Sequence, residues 1–205
     1  MKVLPFGDAA LLVEVDGLPE VLALAAAVRT ARPAGVLDVV PAARTVLVAV
    51  VPGTDLAALR RIVLDLPVDP ASVREGETVE IPVTYDGPDL AEVARLTGLD
   101  ESEVVAAHTG TPWRIAFGGF APGFAYLTGG DERLRVPRRA EPRTTVPTGA
   151  VGLAGEFSGI YPRPSPGGWQ LIGSTDARLW DPDRDPPALL EHGGWVRFVV
   201  AGGTA

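Results

Sequence analysis

Five arginines lie close together in the second half of the chain and form its densest group of potential anion ligands. They are Arg133, Arg135, Arg138, Arg139 and Arg143. The protein as a whole is acidic, with 18 Lys+Arg against 26 Asp+Glu and a net charge of -8. Because guanidinium groups suit bidentate contacts with carboxylates and phosphates, this stretch is a candidate anion site. The alternative is a solvated hairpin whose arginines pair with the neighbouring Asp131, Glu132 and Glu141.

A glycine-rich aromatic segment, residues 117–127, precedes the arginines. It combines Phe120, Phe124 and two further aromatic residues with three glycines and Pro122. The segment has neither the glycine spacing of a dinucleotide-binding turn nor the Gly-Lys-Ser/Thr of a phosphate loop. Its glycines allow a ligand to approach the backbone closely. Two interpretations remain open, a binding loop or aromatic packing at the end of a barrel.

The chain contains two histidines, His108 and His192. His108 ends a predicted helix, where the helix dipole favours the charged imidazole. It is therefore a candidate general base or proton donor, and the alternative is a cap at the helix end. The histidine spacing predicts no metal site, and no Ser stands in the Gly-x-Ser-x-Gly context of a hydrolase elbow.

Several classes of protein are disfavoured by composition. The chain has no cysteine, so disulfides and thiolate-based sites are excluded. No apolar run approaches the ~20 residues of a membrane helix, and the N-terminus lacks the apolar stretch of a signal peptide, which predicts a cytoplasmic protein without membrane association. Residues 89–108 have the spacing of a helix-turn-helix, but the second helix carries Asp100, Glu101 and Glu103 and no Lys or Arg. We therefore expect this helix pair to pack against the rest of the fold rather than bind nucleic acid.

The first part of the chain alternates strands and helices in the order β-α-β-β-α. A strand at 10–15 precedes a helix from Pro19 to Ala31, and β-branched runs at 36–40 and 45–51 form a hairpin. A second helix, capped by Thr54 or Asp55, extends to Leu66. This order predicts a split-βαβ sandwich in which two helices cover one antiparallel sheet.

The second part begins after a polar connection at residues 68–78. The strand at 79–85 alternates in polarity, and Pro82 predicts that it lies at a sheet edge. Helices follow at 89–96 and 101–108, the second with a capping box from Asp100 to Glu103. Short strands separated by Gly and Pro then predict a barrel or sandwich, with a short helix at 187–192. The predicted strands are 113–117, 151–154, 169–172 and 195–200.

Gly and Pro together number 16 in residues 1–109 and 28 in residues 110–205, which favours two domains, 1–76 and 77–205.

The sequence resembles the KipI/PxpB family, also called allophanate hydrolase subunit 1 or carboxyltransferase subdomain C/D proteins. The matching segments follow one another along nearly the whole chain. They are 7–14, 37–41, 120–127, 137–139, 142–143, 146–151, 159–162 and 165–175.

This resemblance implies an α+β N-terminal domain followed by a cyclophilin-like β-barrel domain. It further implies a heteromer with the homologous subunit 2 (PxpC/KipA-like) and a third, LamB/YcsF-type subunit, acting together as an ATP-dependent 5-oxoprolinase. ATP would be used at the level of the complex, with no metal or biotin evident in this chain. The alternatives are a regulatory protein that binds and inhibits a sensor histidine kinase, or a subunit related to allophanate hydrolase or urea carboxylase.

The resemblance also suggests a cleft shared with subunit 2. Arginine side chains there would hold a substrate carboxylate or phosphate, and His108 would act as acid, base or donor. The expected cleft residues are His108, Arg138, Arg143, Tyr161, Gln170 and Thr175, with Phe120, Pro122, Phe124 and Trp169 lining the pocket. The chain departs from the family pattern at Glu156, where Gln is expected.

Overall fold

The computed structural model describes residues 1–69 and 76–202. The chain divides into two compact units, Met1–Glu75 and Gly76–Ala205. One hydrophobic cluster lies within the first unit, and two lie within the second.

The first unit is a four-stranded antiparallel sheet with two helices. The predicted order of elements is observed, with an additional edge strand at the N-terminus. The elements are β1 (Lys2–Pro5), β2 (Ala10–Glu14), α1 (Leu18–Ala31), β3 (Val36–Pro41), β4 (Thr45–Val50) and α2 (Leu56–Asp65). The sheet order is β1-β2-β4-β3.

Local signals in the sequence set the helix ends of this unit. Pro19 lies in the first turn of α1, where its missing N–H costs no hydrogen bond. Asp55 caps α2, and its carboxylate accepts hydrogen bonds from the amides of Ala57 and Ala58 at 2.9 and 3.0 Å. The buried side chains of α1 join those of the sheet in one core.

The second unit is built on a seven-stranded mixed sheet and a separate strand pair. The elements are β5 (Thr78–Val83), α3 (Leu90–Thr97), α4 (Glu101–Gly110), β6 (Trp113–Gly118), β7 (Ala125–Thr128), β8 (Arg143–Val146), β9 (Ala150–Ala154), β10 (Phe157–Ile160), β11 (Ser165–Gly167), β12 (Gln170–Ser174) and β13 (Trp195–Val200). The sheet order is β12-β9-β10-β7-β6-β13-β5, and β8 pairs with β11. A short 3-10 helix, Glu132–Leu134, follows β7.

The seven-stranded sheet is nearly closed into a barrel. β5 pairs in parallel with β13 and ends the strand order, so the edge position predicted from Pro82 is confirmed. Just beyond β5, Thr84 and Ser174 exchange two backbone hydrogen bonds of 2.8 Å. These bonds connect the two ends of the sheet.

The helix pair α3–α4 packs on this sheet. Val93 and Val104 are fully buried in the main core of the unit. The predicted capping box is confirmed, since the Asp100 side chain accepts from the Glu103 amide and the Glu103 side chain from the Asp100 amide. The expectation of a packing role for these helices is therefore met.

Two further predictions concern a short helix and the connection between the two parts of the chain. The helix expected at 187–192 is wrong, because Ala188 forms a β-bridge with Trp180 and the surrounding residues form bends and a turn. The polar connection expected at 68–78 lies largely outside the described residues, which omit 70–75. Across the two described ranges, no helix is both long and apolar enough to cross a membrane.

Candidate functional site

A buried carboxylate, Asp89, joins three parts of the second unit just before α3. Its Oδ1 accepts hydrogen bonds from Arg139 Nη1 at 2.7 Å and Arg143 Nη2 at 2.8 Å. Its Oδ2 accepts from the backbone amide of Leu171 in β12 at 2.7 Å. Burial alone would raise the pKa of Asp89, but the hydrogen bonds from Arg143 and Leu171 and the charges of Arg143 and Arg139 hold it below its ordinary value. Asp89 is therefore an ionised anchor for two arginines.

The arginine-bearing segment, residues 137–143, is also held through its backbone. The Arg139 amide donates to the Gly168 carbonyl at 2.8 Å, and the Gln170 side-chain amide donates to the Pro137 carbonyl at 3.2 Å. Arg138 passes alongside Gly168, so that a Cβ on this glycine would lie 3.5 Å from Arg138 Nη2. These hydrogen bonds hold the segment against Gly168 and Gln170 at the start of β12, and the Arg138 guanidinium group lies beside Gly168.

Tyr161 connects the arginines to the aromatic residues. The side chain is buried, and burial raises the pKa of its hydroxyl, while the charges of Arg138 and Arg143 and a hydrogen bond from the Trp169 backbone oppose that rise. The hydroxyl therefore remains protonated at neutral pH, and the charges of Arg138 and Arg143 act on it.

An aromatic cluster forms the other side of Tyr161. Phe124 is at its centre and makes edge contacts with Tyr161 and Trp169, both at 5.5 Å between ring centroids. Tyr126 contacts the same phenylalanine at 5.1 Å. Gly159 allows this packing, because a Cβ there would lie 3.0 Å from both Phe124 and Trp169. The cluster is a rigid apolar wall beside the arginines.

Phe120 lies at the outer end of this wall with its side chain 56% exposed. Its backbone has φ 64°, the left-handed region that a bulky residue rarely adopts. Its ring contacts Phe124 at 5.3 Å and Tyr161 at 6.0 Å, both edge-on. Backbone strain at an exposed residue is a feature of ligand-binding sites, which favours the binding-loop interpretation of this segment.

His108 lies elsewhere, inside the core of the unit. Its side chain is fully buried and stacks on Phe198 at 4.2 Å. Tyr85 Oη lies 2.8 Å from Nδ1, and Ser158 Oγ lies 2.9 Å from Nε2. Burial lowers the pKa of the imidazole to about 3. The ring is therefore neutral at pH 7 with both nitrogens engaged, and these contacts fit packing better than proton transfer to a substrate.

The remaining expected site residues have separate settings. The Thr175 backbone pairs with Gly149, and its hydroxyl accepts from the Ala177 amide at 3.2 Å. Pro122 is exposed in the β6–β7 connection. The contacts of the described residues thus bring together Arg138, Arg143, Tyr161, Gln170, Trp169, Phe124 and Phe120 and do not bring His108 or Thr175 to them.

The sequence does not single out two members of this group, Asp89 and Arg139. The sequence marks Asp89 only as the start of a helix, and its partners lie 50, 54 and 82 residues further along the chain. Arg139 belongs to the arginine stretch, but nothing in the sequence separates it from its neighbours. The signal that identifies both is their shared contact.

A cavity of about 280 Å³ lies on a different part of the second unit. It is lined by Trp113, the turn after β7 and Glu156, the residue that departs from the family pattern. Among residues 1–69 and 76–202, no group of three or more His, Asp or Glu side chains is placed so that it could hold a metal ion.

Comparison with known proteins gives a consistent assignment. The family model of the carboxyltransferase domain, subdomain C and D, matches residues 1–190. A 5-oxoprolinase subunit of Escherichia coli O157:H7 is 52% identical over 128 residues, which cover 61% of this chain and 59% of that protein. A 5-oxoprolinase subunit of Bacillus subtilis (strain 168) is 48% identical over 124 residues, 59% of this chain and 52% of that protein. The matched segment thus spans less than two thirds of either relative.

Solved structures extend the likeness over almost the whole chain. TTHA0988 has a TM-score of 0.80 at 40% identity, covering 96% of this chain and 41% of that chain. The urea carboxylase of Kluyveromyces lactis has a TM-score of 0.70 at 18% identity, covering 97% of this chain and 21% of that chain, and this likeness is one of fold. The resemblance to the KipI/PxpB family is confirmed, and the chain belongs to the carboxyltransferase subdomain C and D family.

Proposed function

We propose that this protein is a subunit of a heteromeric, ATP-dependent 5-oxoprolinase that opens a cyclic amide. In this complex it acts with a homologous subunit 2 of the PxpC/KipA type and with a LamB/YcsF-type subunit. The second unit would then be the cyclophilin-like barrel of this family, a statement about fold and not about isomerase activity. The observation that carries the proposal is the set of relatives named as 5-oxoprolinase subunits, which are 44% to 52% identical to this chain.

The site residues would serve this reaction as follows. Arg138 and Arg143 hold the carboxylate of the substrate or negative charge that develops during ATP-driven activation of the lactam carbonyl. Tyr161 and Gln170 position these groups, and Phe120, Phe124 and Trp169 provide apolar surface for the ring. We assign His108 a supporting role within the core, because its burial and its two hydrogen bonds keep it from the arginines.

ATP is placed at the level of the complex, because the sequence of this chain contains no phosphate loop of the Gly-Lys-Ser/Thr type. We therefore expect the subunit to be inactive alone and to contribute its arginines to a site completed by its partner. Neither metal nor biotin chemistry is assigned to this chain.

The test is 5-oxoproline-dependent ATP hydrolysis by this chain mixed with its subunit 2 and its LamB/YcsF-type partner. We expect turnover only when all three are present, and we expect Arg143→Ala to abolish it while the subunits still copurify. An assembled complex of folded subunits that hydrolyses no ATP in response to 5-oxoproline would overturn the proposal. Inhibition of a sensor histidine kinase by the chain in that case would favour the regulatory alternative.

A further inference from the structure

Asp89 neutralises only part of the positive charge of the two arginines that it binds. One carboxylate oxygen accepts from two guanidinium groups, those of Arg139 and Arg143. The other oxygen is bound by the Leu171 amide, and the Asp89 side chain is only 4% exposed. A single negative charge therefore faces two positive charges, and three donors occupy three of the about four acceptor positions of the carboxylate.

The neighbouring charges do not remove this excess. Arg138 adds a third guanidinium group near Tyr161. Glu92 is within electrostatic range of Arg139, but its carboxylate is held by both Nε and Nη2 of Arg95 at 2.8 and 2.7 Å. The cluster is thus a local positive site on a protein of net charge -8, and such a site attracts anions.

Both arginines of the pair keep unused hydrogen-bonding capacity. Arg139 Nε and Arg143 Nη1 are buried without a partner, as is Gln170 Oε1 of the residue next to Leu171. The two side chains are nevertheless 33% and 22% exposed, so solvent reaches part of each side chain. A structural ion pair satisfied within the protein would leave neither a surplus charge nor unpaired donors.

From this arrangement we infer that Arg139 and Arg143, oriented by Asp89, form a binding site for the carboxylate of a small molecule whose apolar body lies toward Tyr161 and Phe120. The inference rests on the proposed function and sharpens it, because it adds Arg139 to Arg143 as a ligand of the substrate carboxylate and makes Asp89 a positioning residue. A monoanion matches the single surplus charge of the Asp89 triad, and a planar carboxylate matches guanidinium forks. Phe124, Tyr161 and Trp169 are buried, whereas Phe120 is exposed, so Phe120 is the aromatic residue that offers apolar surface to a small ring.

The test is a binding titration by isothermal calorimetry or by NMR chemical shifts, made on the full chain alone and on its complex with subunit 2. Three probes are used: 5-oxoproline, its uncharged analogue 2-pyrrolidinone, and inorganic phosphate. We expect 5-oxoproline to bind and 2-pyrrolidinone to bind far more weakly. Arg139→Gln should weaken the binding of 5-oxoproline by on the order of tenfold or more, because a charge-assisted hydrogen bond is lost. Arg133→Gln is the matched control, since Arg133 pairs with Asp131 at the surface and should leave binding unchanged.

Each contrary result overturns the inference. The first is unchanged affinity for 5-oxoproline in Arg139→Gln. The second is equal binding of 2-pyrrolidinone, and the third is the absence of 5-oxoproline binding to the wild type. Tighter binding of phosphate that depends on Arg139 in the same way would identify the ligand as a phosphate and not as a carboxylate. If Arg139→Gln does not fold, Arg139→Lys keeps the charge beside Asp89 and loses the fork, and it should still weaken binding. If 5-oxoproline binds but the assembled complex hydrolyses no ATP, the proposed function is wrong and the carboxylate-binding site is retained.

Discussion

At the scale of single residues, burial decides what His108 can do. A histidine at the end of a helix carries the sequence signature of a charged imidazole, yet Tyr85, Ser158 and Phe198 enclose this one completely. Removing the ring from water penalises its charged form more than the helix end favours it. The residue type suggests proton transfer, whereas the environment gives a neutral side chain that joins α4 to the barrel.

This setting predicts a pH dependence of stability. The pKa of His108 is about 3 in the folded protein against an ordinary value of 6.5, so below pH 6.5 the unfolded chain binds a proton that the folded chain does not. Stability should therefore be fully present above pH 6.5 and fall by about 1.4 kcal/mol per pH unit as the pH drops toward 3. Urea unfolding between pH 7 and pH 4.5 measures this slope, and His108→Gln should lose it.

The comparison of the wild type with His108→Gln controls for the other titrating groups, because both proteins retain His192 and every carboxylate. Carboxylates also titrate in acid and affect both proteins alike, so the difference between the two slopes isolates the buried ring. Equal slopes in the wild type and His108→Gln would show that the imidazole is accessible to protons in the folded state.

Two substitutions at Phe120 separate the free-energy cost of its backbone strain from the stabilisation that its ring contacts provide. Both Phe120→Ala and Phe120→Gly remove the aromatic contacts with Phe124 and Tyr161, but only glycine adopts φ 64° without strain. We expect Phe120→Gly to be more stable than Phe120→Ala by about 1 kcal/mol, measured by urea unfolding. The opposite order would mean that the loop relaxes to another conformation when the ring is removed.

At the scale of elements, the sequence predicts what depends on near neighbours. The caps Asp55 and Asp100 locate α2 and α4 because they act within one turn, and β13 has its predicted bounds. Strands β8 and β11 have four and three residues, too few for an alternating pattern to be recognised. The parallel pairing of β5 with β13 and the contact of Asp89 with Arg143 depend on the whole fold, so they could not be predicted locally.

The turn before β9 is a second place where distant elements meet. Gly149 has φ 79°, and a Cβ added there would collide with the Thr175 carbonyl. Gly129 has almost the same φ, 80°, but nothing lies within 4 Å of its added Cβ. Gly129→Ala therefore carries the backbone strain alone, of about 1 kcal/mol, and Gly149→Ala carries the strain and the collision.

We expect Gly149→Ala to reduce the free energy of unfolding by at least about 2 kcal/mol more than Gly129→Ala does. The reason is that the obstacle is a backbone carbonyl, which cannot rotate away as a flexible side chain would. Chemical denaturation of both variants under identical conditions measures the difference. Equal effects would indicate that the β9 turn and the Thr175 segment move apart at little cost.

At the scale of the whole molecule, the hydrophobic clusters assign each core to one unit. The residues of the first unit's cluster lie between Val3 and Val68, and those of the other two clusters lie between Val79 and Phe198. Every residue of the arginine and aromatic site, including Asp89, also belongs to the second unit. The structural basis of the candidate site is thus contained in one continuous stretch of chain.

This separation predicts that a fragment of residues 76–205 folds by itself and binds 5-oxoproline as the full chain does. A continuous stretch with its own cores, a nearly closed sheet and about 130 residues is of ordinary domain size. Dispersed amide signals in a heteronuclear NMR spectrum would report folding, and the same titration with 5-oxoproline would report the site. An unfolded fragment would show that the first unit is needed for the stability of the second, whereas a folded fragment without binding would place an essential part of the site in residues 1–75.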